Sequence, residues 1–99
     1  MLPTLIGRRR FSDLSEKEVL ALAISSEEDD ARIYDDYAEN LRGAFPDTAK
    51  VFESMAAQER GHAANLAREF ERRFGAHVPL IRREDIAGYY ARRPVWYIC

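Results

Sequence analysis

From Leu20 to Leu41 the apolar positions step by four and three without a break, through Leu20, Ile24, Glu27, Ala31, Tyr34, Ala38 and Leu41, and the third member of the series is a glutamate. That spacing puts all seven side chains on one stripe of an α-helix and commits the segment to burying the stripe against another helix. A carboxylate inside such a seam is costly unless something compensates it. The start of the helix is written just upstream. Ser15-Glu16-Lys17-Glu18 is a capping box, in which the serine oxygen accepts from the N3 amide and the N3 glutamate reaches back to the cap.

A second helix follows closely. Gly43 suits a left-handed stop to the first helix, and Pro46 and Asp47 suit the first turn of the next, where a missing amide costs nothing and a negative charge meets the positive end of the dipole. The connection is roughly Gly43 to Phe45, short enough to make the two helices antiparallel neighbours. The second helix carries Phe52, Met55, Glu59, His62, Leu66 and Phe70 on one face and runs to about Phe74, with Gly75 as its stop. Each helix has about 25 residues, or on the order of 40 Å. Beyond Gly75 the pattern predicts an extended segment over Ala76–Ile81 and a short third helix over Arg83–Arg92, ended before Pro94. The tail, Val95 to Cys99, is apolar and aromatic, and must pack on something or belong to a longer chain.

The 99 residues, 46% of them hydrophobic, form one small domain, 1–99, of a size at which oligomerisation often helps. Fifteen Lys and Arg against 17 Asp and Glu leave a net charge of -2, too balanced for nucleic acid to be the main ligand. Cys99 is the only cysteine, so there is neither a disulfide framework nor a Cys-x-x-Cys metal knuckle, and a cytoplasmic location fits. Arg8-Arg9-Arg10-Phe11 has the look of a twin-arginine export motif, but the residues after it are charged where an apolar stretch is needed. These arginines read as a solvated terminus, with contact to a membrane surface or an acidic partner as the alternative. The apolar run Val19–Ile24 is interrupted by Ser25 and Glu27 and falls far short of a membrane span.

Glu59 and His62 stand three residues apart, a spacing that brings a carboxylate and an imidazole to one helical face. With Glu27 on the facing helix, they make a candidate metal site. A di-iron carboxylate centre needs hard oxygen ligands that bridge two ions, with an imidazole for each, in a dry cavity between helices. One hairpin supplies Glu27, Glu59 and His62, half of that set. Two hairpins related by a two-fold axis would supply four carboxylates and two histidines, enough negative charge to balance two divalent ions. On this reading Glu59 bridges, Glu27 and His62 are terminal ligands, Tyr34 hydrogen-bonds a ligand carboxylate, and Asp30 assists the passage of iron. The bland alternatives are a Glu27 that pairs with an arginine from the tail, Tyr34 and Tyr37 as packing residues, and an acidic run Glu28-Asp29-Asp30 that is simply solvated. Glu28 replaces Glu27 as ligand if the helical phase slips by one residue, and His77, in a loop beside Pro79, reads as solvated.

The stretch Leu20–Phe74, with Glu27, Tyr34 and Glu59-Arg60-Gly61-His62, resembles the ferritin-like and rubrerythrin superfamily. Within it, Arg8–Ser15, Pro79-Leu80-Ile81-Arg82-Arg83 and Arg93-Pro94-Val95-Trp96 are similar to the N-terminal domain of membrane-bound ferritin, a family joined to a vacuolar-iron-transporter-like membrane domain. The resemblance implies iron binding, ferroxidase activity and protection of bacteria from excess iron and peroxide. It also implies a link to a membrane iron transporter and a place at the cytoplasmic face of the membrane. One departure bears on the site: that family's domain continues with a second helix pair carrying another glutamate and another Glu-x-x-His, so the chain reads as a truncated half-bundle. Encapsulated ferritins, a related group, use a single hairpin and complete the site across a dimer. The expectation is an all-α hairpin with a short third helix, pairing into a ferritin-like four-helix bundle. That homodimer or higher oligomer would hold a di-iron centre shared between two chains and oxidise Fe(II) with O2 or peroxide. The rivals are a non-catalytic helical interaction module and a rubrerythrin-type peroxidase, which needs an electron donor.

Overall fold

Ser15 starts the first helix as the capping box requires: its Oγ accepts from the Glu18 amide at 3.1 Å, and its own amide donates to Glu18 Oε1 at 3.0 Å. In the computed structural model, which describes residues 9–89, this helix, α1, spans Glu16–Leu41 and the second, α2, spans Pro46–Phe74. Ion pairs between them, Glu16 with Arg73, Asp35 with Arg60 and Arg42 with Glu53, run in opposite sequence directions and fix the hairpin as antiparallel. Exposed pairs of this kind contribute little to stability but report the register.

The turn between the helices differs from expectation. Gly43 does not adopt a positive φ; among the described residues only Gly75 and Gly88 do. The chain instead closes through an α-turn, the Phe45 amide donating to the Leu41 carbonyl at 2.7 Å, so one orphan carbonyl at the end of α1 is satisfied without a left-handed residue. At the end of α2, Gly75 stops the helix as expected, with φ at +94° and its amide on the Glu71 carbonyl at 3.1 Å.

Small residues fill much of the buried seam between the helices. Ala49, Ala56, Ala63 and Phe70 of α2 recur every seven residues and are buried, as are Ile24, Ala31 and Ala38 of α1 with the same repeat. Alanine contacts let helix axes approach toward the close end of the usual range of about 8–10 Å. Of the face assigned from sequence to α2, Phe70 and Glu59 are buried, whereas Phe52, Met55, His62 and Leu66 remain half-buried beside the seam. Phe70, fully buried with Ala21 and Ile24, anchors one end of the core.

The third helix over Arg83–Arg92 is not formed in its described part. Arg83–Asp85 is a single 3-10 turn and Ile86–Ala87 is a strand, β2, paired in parallel with β1, Arg9–Arg10. The pairing aligns Arg9 with Ile86 and Arg10 with Ala87, a long-range contact that supplies hydrogen-bond partners a local helix would otherwise provide. The segment after Gly75 thus straps α1, with Ile81 also reaching the cluster that holds Phe70 of α2. Ser25 Oγ donates to the Ile81 carbonyl at 2.5 Å, and Leu22, Ile86 and Tyr89 form a second small core with Phe11, Leu14 and Ile81. Arg9 forks onto Glu18 and Arg10 onto Asp13, so these two terminal arginines are spent on local pairs. Arg8, the end of the expected third helix, the Arg93–Trp96 motif and the tail to Cys99 lie outside the described residues.

Candidate metal centre

Glu27 lies midway along α1 and is 2% exposed; Glu59 of α2 is 8% exposed. Both are where the seam pattern put them, and neither phase has slipped: Glu28 is exposed. His62, one turn after Glu59, turns its Nδ1 inward, 3.3 Å from Glu27 Oε2 and 3.9 Å from Glu59 Oε2, while over a third of its side chain faces outward. One donor atom from each of the three residues lies within 4.8 Å of the others. Donors bound to one ion at about 2.1 Å stand roughly 3–4 Å apart, so the triad is near ligating spacing.

The electrostatics point the same way. Glu59 Oε2 is buried and has no hydrogen-bond partner among the described residues. Burial, then the nearby Glu27 carboxylate, raise the Glu59 carboxyl from its ordinary 4.5 to about 7, against the opposing pull of His62. Two acids this close, withdrawn from water, do not both ionise comfortably without a cation between them. Two carboxylates and an imidazole suit a divalent transition metal, and the orphaned oxygen supplies a lone pair aimed into the gap.

Asp30 stands apart from this triad. It is 7% exposed, and its Oδ1 accepts from Arg83 Nη1 at 2.6 Å. Burial raises its carboxyl pKa and Arg83 opposes the rise, while Glu59 and Asp29 add smaller upward pushes. Arg83, an arginine of the segment after α2, is thus on Asp30, one turn beyond Glu27 along α1. The acidic run is not uniformly solvated either: Glu28 is exposed, Asp29 is half-buried and paired with Arg32, and Asp30 is buried. Arg83 is the residue that sequence reasoning missed, since nothing local marks it and its partner is 53 positions away.

Tyr34 is half-buried, with its ring tilted against Phe52 at a centroid distance of 6.1 Å; Tyr37 stacks on the same ring at 5.0 Å. Both rings thus pack on Phe52 of α2. His77 is exposed in the loop, as expected.

No curated protein and no solved structure matches the chain. Residues 18–99 do match the family model for rubrerythrin, a span that contains Glu27, Glu59 and His62 together with both helices. With a buried Glu/Glu/His group on a two-helix scaffold inside the matched region, the chain belongs to the rubrerythrin family of ferritin-like, iron-binding proteins.

Proposed function

We propose that the protein is a ferroxidase whose di-iron site is completed by a second copy of the chain. The observation that carries this reading is the partnerless, buried Glu59 oxygen within a triad already near ligating spacing. Each hairpin offers two carboxylates and one imidazole; a two-fold pair offers four and two, which neutralises two Fe(II) ions. The half-buried row Tyr34, Phe52, Met55, His62 and Leu66 flanks the ligands on one side of the hairpin seam. Covering that row with its symmetry copy would dry the site and build a four-helix bundle.

Fe(II) is the substrate. Its binding would displace the proton that burial favours on Glu59, and Glu59 would serve as the ligand shared between ions, with Glu27 and His62 as terminal ligands. Two Fe(II) ions give one electron each to O2, which takes two protons and leaves as hydrogen peroxide. With hydrogen peroxide as oxidant, the same two electrons and two protons yield two waters. Tyr34, seven residues beyond Glu27, is placed along the same stripe to hydrogen-bond a ligand carboxylate. Asp30 offers a carboxylate close enough to Glu59 to be felt by it, and we assign it to the passage of iron.

The resemblance to membrane-bound ferritin extends the proposal to a cytoplasmic protein that works beside a membrane iron transporter domain. Among the described residues no helix is long and apolar enough to cross a membrane. The test is anaerobic Fe(II) titration with solution mass, followed by exposure to O2. About one iron per chain in a dimer, with Fe(III) formation abolished in Glu59→Ala, is the expected result. A metal-free monomer, or a dimer whose assembly and iron content ignore Glu27→Ala, would refute it in favour of a helical interaction module.

A further inference from the structure

Behind α1 lies a cavity of about 110 Å³, lined by Phe11, Val19, Leu22, Ala23, Ser26, Glu27 and Tyr89. Glu27 is the one residue shared by the cavity and the metal triad; neither Glu59 nor His62 lines it. The cavity therefore ends on a ligand carboxylate from the side that the strap covers, whereas His62 reaches the same carboxylate from α2 and is partly exposed there.

The walls select the kind of molecule that fits. Five of the seven lining residues present hydrocarbon or aromatic surface. Ser26 directs its hydroxyl to the Leu22 carbonyl at 2.8 Å, and Tyr89 receives a hydrogen bond from Arg83. A water or a hydrogen peroxide molecule is held by about two to four polar partners; of the three polar side chains here, Ser26 and Tyr89 are already engaged by Leu22 and Arg83. Apolar hollows are where xenon and other weakly hydrated gases lodge, and this one, partly open to the surface, has room for such a molecule.

Resting on the ferroxidase reading, we infer that this cavity is the dioxygen site of the centre: O2 collects beside Glu27 from the strap side, while Fe(II) and any peroxide reach the triad by a route that does not pass through the cavity. The strap, through Tyr89 and the pairing of β1 with β2, then has a functional role, as the wall of an oxidant reservoir.

Xenon is the probe. Crystals of the whole protein under xenon pressure should show an atom against Leu22, Ala23 and Glu27, and Ala23→Phe should remove it by filling the space. In solution Ala23→Phe should raise the O2 concentration at half-maximal Fe(II) oxidation at least threefold, leaving anaerobic Fe(II) affinity and the rate with hydrogen peroxide unchanged; Val19→Phe serves if the first variant does not fold. Absence of xenon from the cavity, an unchanged O2 requirement in the filled variant, or an equal loss with O2 and peroxide each overturns the inference. Wild-type protein that takes up xenon here yet binds no iron would place the failure in the ferroxidase reading instead.

Discussion

Replacing Glu59 by glutamine separates a carboxylate kept for an ion from one kept for the fold. Its carboxyl rises from 4.5 to about 7 because burial and Glu27 oppose its ionisation. In the metal-free protein the native state therefore binds more protons than the unfolded chain between those values. Stability then falls as pH rises through that interval, and the whole cost is present above it. At about 1.4 kcal/mol per pH unit the rise corresponds to ~3 kcal/mol, an upper figure because denatured chains and native relaxation both reduce it. Glutamine has nearly the same shape and carries no charge, so Glu59→Gln removes this cost. Urea denaturation in the presence of chelator, at pH 5 and pH 8, reads the difference. The variant is expected to exceed wild type by no more than about 1 kcal/mol at pH 5 and by about 2–3 kcal/mol at pH 8, while a divalent metal stabilises wild type alone. A variant less stable than wild type at pH 8 in chelator would show that the carboxylate is satisfied within the protein, and the argument for an ion would fail.

His62→Ala should leave the fold intact, since that side chain is 37% exposed, and should weaken metal binding by roughly tenfold or more, read by anaerobic titration. Arg83→Met leaves Asp30 buried with both oxygens unpaired, a loss of ~3 kcal/mol in denaturant; the double variant with Asp30→Leu should recover most of it, because an apolar pair needs no compensation. Ser15→Ala removes the cap of α1 and should cost about 1 kcal/mol, with faster hydrogen exchange at the Glu18 amide as the local signature.

The parts of the fold legible in the sequence are those decided by neighbouring residues. Ser15 and Glu18 meet three positions apart, Pro46 needs only its own ring, and Gly75 needs only its own φ, so the helix ends at those points could be written from the chain. Glu27, Glu59 and His62 were visible because an acid in an apolar seam is conspicuous. The packing surface of α2 was less so: Phe52, Met55 and Leu66 drew attention by size, while buried positions fell to Ala49, Ala56 and Ala63, which look unremarkable in any helix. The strap was hidden for a different reason. Whether Ile86 and Ala87 extend or coil depends on Arg9 and Arg10 at the other end of the domain, and the role of Asp30 depends on Arg83; neither pairing leaves a local trace.

The alanine repeat sets a dimension that the chemistry then uses. Glu27 and Glu59 belong to different helices, and their side chains meet one imidazole across a seam whose neighbouring buried positions are largely alanine, Ala31, Ala56 and Ala63. A leucine in place of Ala56 or Ala63 would touch no ligand, yet by prising the axes apart it would pull the carboxylates out of reach of a common ion. The reach of the metal donors is thus governed by residues that have no chemistry of their own.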